Sequence, residues 1–526
     1  MKRTRPLAWL LLLLLLLTPS LRAPRAAGRA AFAKAVYAFA YGSEAVVYAT
    51  LTSEAEETWT LQTAEGEVLC SETMRGTGRS IPFRFTVPET LPRRTTLRLT
   101  AAGESLCQAE LFCDQHQNGG VRRVAVRGKR MAITFDSAIS AGYTPEILDV
   151  LDKFGVKATF FVIGRYVERN PELAAEIVAR GHELASHSYE HLEMATASEE
   201  KALASILRAE TVIRPVSGGE RVLYRPPSGI SSFRDRAMAR GLGSEVILWS
   251  VDSGDGFRTR PMAEILDQIH RGLHNGGIML MHVYGGYTVR LLETILPEYQ
   301  AQGYEFVTVP ELLLPPETSY IDAFGSQRPL HHEGEALDGE TLALLKTEAV
   351  RPRVQASEPL KGSKNQTLSE VSVPRGLWRA RVTNQNGWAF VIWSYDGRGT
   401  GELLVSGYSA YAGAVPLLGQ GPYTFEVETN GNWTIAIEPL NETEAVAFAG
   451  RGDDVTDLFQ PRSGTYRLSH KGESDFVVWL YTAAGETLLT HRLGPCEETV
   501  TLEAPPDSLA FFVVRADGAW ALEPME

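Results

Sequence analysis

The chain has 526 residues, of which 44% are hydrophobic and 22% charged, and its formal net charge is −13. That length exceeds one ordinary core, so several domains are expected, and the apolar fraction allows those cores to be well filled. The acidic balance excludes nucleic acid as an expected partner, because a negatively charged surface repels a phosphate backbone.

Residues 1–27 carry Lys2, Arg3 and Arg5, an apolar run over 7–17, then Pro19 and small residues. This is the layout of a secretory signal peptide. The apolar run is shorter than the roughly 20 residues that span a bilayer, so membrane contact is expected only through this segment if it stays uncleaved. Without its five basic residues the chain is more acidic still, about −18.

From 36 to 120, short alternating runs such as AVVYATLT, TWTLQTA, PFRFTVP and TTLRLTA lie between Gly, Pro and Ser clusters. This spacing predicts a β-sandwich of the immunoglobulin-like kind. The four cysteines are Cys70, Cys107, Cys113 and Cys496. A disulfide from Cys70 to Cys107 or Cys113 and a set of buried free thiols are both open readings. No CxxC pattern is present, which argues against a structural zinc site.

From 125 to 315 the rhythm changes to strand followed by helix. RMAITF, ATFFVIG, HELASH, RVLYRPP, EVILWSV, GIMLMHV and YEFVTV read as buried strands, with amphipathic helical patterns between them. Repeated βα units predict a parallel sheet that forms a distorted (β/α) barrel, whose functional residues sit just after the strand ends. Residues 316–362 read as a linker with little core of its own. Two β-sandwich modules are then predicted over 363–445 and 446–526, because Phe390–Gly399 matches Phe476–Gly485 and Trp433 matches Trp520. Their aromatic stripes suit either core packing or stacking on sugars.

His187 and His191, four residues apart after HELAS, would share one side of a helical turn and suit a divalent metal. The other predicted strand ends carry Asp136, Arg225, Asp252 and His282. A carboxylate, metal-ligand imidazoles and an arginine are the parts of metal-assisted hydrolysis. In that chemistry Asp136 fits the base, Arg225 the group that holds it ionised, and His282 the acid, its pKa raised by a carboxylate such as Asp252.

These residues lie in motifs that resemble, in order, those of the NodB-type polysaccharide deacetylases, carbohydrate esterase family 4. TFDS at 134–137 resembles the family's TFDD, SHSYEH at 186–191 its HxxxH, and YRPPSG at 224–229 its RxPYG. WSVDSGDG at 249–256 resembles its DxxDW, and LMHVYGG at 280–286 its LHD. The resemblance implies hydrolysis of an acetamide, less often an acetate ester, on a cell-wall or other extracellular polysaccharide such as peptidoglycan or another N-acetylhexosamine polymer. It implies Asp136 as base, Arg225 as its orienter and Asp252 with His282 as the acid arm. The Ser228 amide would help hold the oxyanion, and His187, His191 and position 137 would be metal ligands. Zinc is the expected metal, with cobalt or nickel also suited to two imidazoles.

The chain departs from the family at four places. Ser137 replaces the ligand aspartate, Ser228 the tyrosine of RxPYG, Gly256 the tryptophan after DxxD, and Val283 the aspartate after the acid histidine. The expected protein is therefore a secreted or wall-associated hydrolase of non-peptide carbon–nitrogen bonds. The alternative is a catalytically impaired relative that binds wall glycan without turnover.

Overall fold

The structure is a computed structural model that describes residues 29–525 apart from 115–118, 127, 138–141, 219–221, 257–259, 284–285, 323–324, 331–342, 347–357, 375, 386–389, 396–400, 408–409, 418–421 and 506–507. The predicted signal segment therefore lies outside the described residues. No helix among the described residues is long and apolar enough to cross a membrane. The chain divides into two compact units, the first comprising Met1–His116, Ile163–Arg169 and Ser186–Val246, the second Gln117–Val162, Asn170–Ala185 and Ile247–Glu526.

In the first unit, residues 30–114 form a three-stranded sheet (Ala30–Phe32, Glu44–Leu51, Ser80–Thr86) and a five-stranded one. Along Glu44–Leu51 every second residue is buried, so Ala45, Val47, Ala49 and Leu51 join Trp59, Leu61, Leu97 and Leu99 of the larger sheet in one apolar cluster. All four cysteines are free thiols. The register explains why Cys70 does not reach Cys107: Cys70 pairs with Leu61, Leu61 with Leu99, and Leu99 with Cys107. Three strand spacings are about 14 Å, twice what a disulfide spans. Burial pushes the thiols of Cys70 and Cys107 up to about 11 and that of Cys113 to about 12, so all three stay protonated at neutral pH.

Helices Glu199–Ser217 and Phe233–Gly241 also belong to this unit. Ser198 caps the first, which ends at left-handed Gly218, and Ser232 with Asp235 forms a capping box on the second. The second helix packs on strand Glu104–Asp114. A side chain at Gly241 would meet the Phe112 ring, and Arg240 donates to Asp114 at 2.7 Å in a buried ion pair.

In the second unit, the parallel sheet runs in the order Glu183–Ser186, Thr159–Val162, Arg130–Asp136, Ile278–His282, Val251–Asp252, with Glu305–Val307 paired to the start of Arg130–Asp136. Its central strands are buried at nearly every position, as expected where both faces are covered. The distorted barrel expected from the sequence takes the form of a curled half-barrel. The runs RVLYRPP and EVILWSV yield single bridges at Tyr224, Val246 and Ile247 and the two-residue strand Val251–Asp252. Pro226 and Pro227 lack the N–H groups that would extend pairing beyond Arg225.

The segment read as a linker begins with ordered structure: Ser319–Ile321 and Ser326–Pro329 pair antiparallel, and Ser326–Pro329 pairs with Arg123–Val124. Beyond it the tail repeats strand for strand. The first copy has sheets Leu360–Ser363, Asn432–Pro439, Trp378–Gln385, Tyr411–Leu417 and Gln366–Val371, Tyr423–Thr429, Phe390–Tyr395, Gly401–Gly407. The second has the same two orders built from the corresponding strands between Phe448 and Pro524. Details recur as well: Trp433 donates to Lys364 O at 3.1 Å and Trp520 to Gly452 O at 2.9 Å, both acceptors having positive φ. A side chain at Gly362 or Gly450 would collide with the indole of Trp433 or Trp520. Trp378, Trp393, Trp433, Tyr466, Trp479 and Trp520 are all buried. They are core, and the sugar-stacking role suggested for the aromatic stripes is not theirs.

Candidate active site

The second unit holds Asp136 and His282. Arg130–Asp136 and Ile278–His282 run parallel with Asp136 opposite His282 as Cα partners, and Thr134 Oγ1 donates to Met279 O at 2.6 Å between them. Asp136 is buried at the strand end. His282 is about three-quarters buried; its Nδ1 donates to Asp255 Oδ1 at 2.8 Å and its backbone N–H to Asp255 Oδ2 at 2.8 Å. A carboxylate only accepts, so Nδ1 carries the proton and Nε2 is the titrating nitrogen. Ser253 Oγ also donates to Asp255 Oδ1 at 2.9 Å, which holds that carboxylate in place.

Burial pulls the His282 pKa down, but the Asp255 hydrogen bond and charge, then the charges of Asp136 and Asp252, outweigh it and leave the imidazole raised above its ordinary value. The direct partner is thus Asp255, where the sequence pointed to Asp252. Asp252 is exposed, and its Oδ1 accepts from Gly254 N at 2.8 Å within its own turn. The repeated aspartate of WSVDSGDG was the available signal. Gly256, in place of the family's tryptophan, lies against His282, so a Cβ there would come within 3.3 Å of the ring.

The first unit holds the imidazole pair. Strand Glu183–Ser186 ends immediately before His187, and the chain then turns: Ser188 and His191 both have left-handed φ, 63° and 58°. The histidines therefore do not sit on a helix as the four-residue spacing suggested. Two left-handed residues close a tight turn that returns the ring of His191 to 5.1 Å from that of His187, at 72°. The turn is held from outside by Gly164 N donating to Ser188 O at 3.0 Å and Arg165 N to Tyr189 O at 2.9 Å.

His187 is buried and its Nδ1 lies 2.9 Å from Arg225 O. A carbonyl only accepts, so this bond fixes the proton on Nδ1 and the lone pair on Nε2. Arg225 is fully buried and tied to Ser186 through its own N–H at 2.8 Å. Ser228, exposed in the turn Pro227–Gly229, has φ 58°.

Backbone strain marks these motifs. Ser137, Ser188, His191 and Ser228 are four of the seven non-glycine residues with positive φ among the described residues. Each costs about 1–2 kcal/mol, and such costs concentrate where geometry serves a site. Two imidazoles, one with its tautomer fixed, fit a divalent cation. Among the described residues, however, no group of three or more His, Cys, Asp or Glu side chains is placed to hold one.

Comparison with known proteins agrees with the order of motifs. Residues 123–247 match the family described as polysaccharide deacetylase. A peptidoglycan-N-acetylglucosamine deacetylase of Bacillus cereus is 37% identical over 189 residues, 35% of this chain and 88% of that protein. The peptidoglycan-N-acetylglucosamine deacetylase PgdA of Listeria monocytogenes is 36% identical over 188 residues, 36% of this chain, and the chain spans 40% of its length. A solved structure of a CE4 family pseudoenzyme from Bacillus anthracis is 27% identical, covering 41% of this chain and 83% of that one at a TM-score of 0.34. The ordered motifs and the matched residues define a polysaccharide-deacetylase domain. The chain belongs to the polysaccharide deacetylase family.

Proposed function

We propose that the protein hydrolyses the acetamide of an N-acetylated cell-wall polysaccharide, with peptidoglycan as the substrate class and acetate as the released product. The observation that carries this reading is the pairing of Asp136 with His282 at adjacent strand ends, His282 being held by Asp255, which raises its pKa. Asp136 takes the proton of a water whose oxygen adds to the acetyl carbon. His282 then gives its Nε2 proton to the amine as the carbon–nitrogen bond breaks. Arg225 serves as the orienter of the base and the Ser228 amide as an oxyanion donor, both by their places in the motifs.

His187 and His191, with Ser137 as a neutral third donor, are the residues that would hold a divalent metal, zinc first and cobalt or nickel next. When bound, such a cation polarises the acetyl carbonyl and acidifies a water. The names of the peptidoglycan deacetylases among the relatives support the substrate class, and export to the wall follows from it. We read the N-terminal segment and the two tail repeats as β-sandwich modules flanking the deacetylase domain.

A second reading, glycan binding without turnover, is favoured by one residue. Ser137 offers a hydroxyl in place of a carboxylate, so the cation loses a charged ligand. Metal content and acetate release of the purified full chain on N-acetylated peptidoglycan separate the two. Bound metal with acetate release supports the first reading; neither, with both gained in Ser137→Asp, supports the second.

A further inference from the structure

Strand Tyr423–Thr429 presents two different faces. Tyr423, Phe425 and Val427 enter the core of the first tail repeat, while Glu426 and Glu428 lie on the other side, opposite Trp393 and Val391 in the register. That other side is also buried: Val391, Trp393, Tyr395 and Leu403 form an apolar cluster against which Ala125 packs. His274 completes the cover. It is buried, its ring lies 6.4 Å from Trp393 at 27°, and its Nδ1 is 3.5 Å from Glu428 Oε1.

Two glutamates thus occupy an apolar seam within the second unit. The groups facing Glu428 are Arg123, His274, Glu426, Tyr304 and Tyr395; those facing Glu426 are Glu428, Tyr395, whose hydroxyl donates to Oε2 at 2.9 Å, Lys129 and Tyr304. His274 supplies no positive charge. Burial pushes it down to about 3, its Nδ1 donates to Gly272 O at 2.8 Å, and its Nε2 accepts from Ser250 Oγ at 2.9 Å. Arg123 is buried, and its Nε and Nη1 have no hydrogen-bond partner among the described residues. It is near enough to act on Glu428 through its charge but makes no direct bond to it.

We propose that this seam is a proton-controlled clamp, closed between the first tail repeat and residues 123–126, 128–130 and 272–278 when the two glutamates are protonated, and loosened when they ionise. The clamp bears on the acid arm. Ser250 Oγ joins His274 and accepts from Ile278 N at 3.4 Å, so the seam ends where strands Val251–Asp252 and Ile278–His282 begin. His282 lies at the far end of the second of these strands.

Burial pushes the Glu428 carboxyl up to about 7, against a smaller pull from Arg123 and with a further push from Glu426; burial raises Glu426 as well. A raised carboxyl binds its proton more tightly in the closed seam. The stabilisation is therefore complete below the ordinary carboxyl value of 4.5 and lost as pH rises through about 7. A quarter of the Glu428 side chain remains exposed, which limits the effect.

Hydrogen exchange of the full chain, corrected for the intrinsic pH dependence, tests the clamp. Protection across 272–280 and 390–395 should fall at least about fivefold between roughly pH 5 and pH 8, and Glu428→Gln should keep it at the higher pH. Arg123→Met removes the charge that favours the ionised form, so it should extend protection to higher pH. Equal wild-type protection at both pH values overturns the proposal. So does a loss in Glu428→Gln that matches the wild type, or, should that variant fail to fold, an unmoved transition in Arg123→Met.

Discussion

His282 and Asp255 are joined twice, through the imidazole Nδ1–H and through the histidine's own backbone N–H, each at 2.8 Å. One carboxylate therefore sets the tautomer, the orientation and the charge of the ring. Asp255→Asn removes the charge while keeping the shape, and the His282 pKa should fall toward that of a buried, unassisted imidazole. Because the acid form is the active one, the alkaline limb of the pH–rate profile should move to lower pH, whereas Asp252→Asn should move it much less. Profiles of kcat/KM for the two variants check this.

On the proposed reading, Ser137 is the weak member of the metal-ligand set. Its φ of 57° lies in the left-handed region that aspartate tolerates better than most residues, so Ser137→Asp should fold without added strain. Its affinity for zinc should exceed the wild type's by at least about tenfold, measured by calorimetric titration. Dialysis against a chelator should abolish acetate release in both proteins.

Ser228 pays for its place with a left-handed backbone. Ser228→Gly keeps the amide and removes the strain, so kcat should hold within about threefold, while Ser228→Val, β-branched at positive φ, should be less stable than the glycine variant by about 1–2 kcal/mol. Urea denaturation and initial rates of the pair provide the comparison.

In the tail, the indoles of Trp433 and Trp520 lie on Gly362 and Gly450 in corresponding places. Adding a methyl group at either glycine should cost about 1–3 kcal/mol by overpacking. Trp433→Ala and Trp520→Ala should each cost about 3–5 kcal/mol. Thermal unfolding of the four variants measures both effects, and the two repeats should respond alike.

The parallel sheet and the residues at its ends were legible because buried βα strands form continuous apolar runs, and Asp136, His187 and His282 follow such runs directly. Asp255 was not singled out, because DSGD offers two carboxylates and only the turn, in which Gly254 binds Asp252, shows which one faces His282. The four-residue spacing of the histidines suits a helix and a tight turn equally. The turn depends on left-handed Ser188 and His191; serine gives no sign of positive φ, and histidine, though enriched there, adopts it in only a small share of cases. More strand was read there than forms, because RVLYRPP and EVILWSV have strand composition, yet apart from Val251 they pair through single bridges only. The double role of the tail aromatics was settled by burial, which composition does not reveal.

The central claim is that Asp136 and His282 act together as base and acid on an acetamide. Acetate release from N-acetylated peptidoglycan by the wild type and by Asp136→Asn, at equal zinc and with matched folding, tests it most directly. The wild type should release acetate and Asp136→Asn should lose about 10²–10⁴-fold of that rate. A zinc-supplied wild type that releases none, or an Asp136→Asn variant as fast as the wild type, would contradict it.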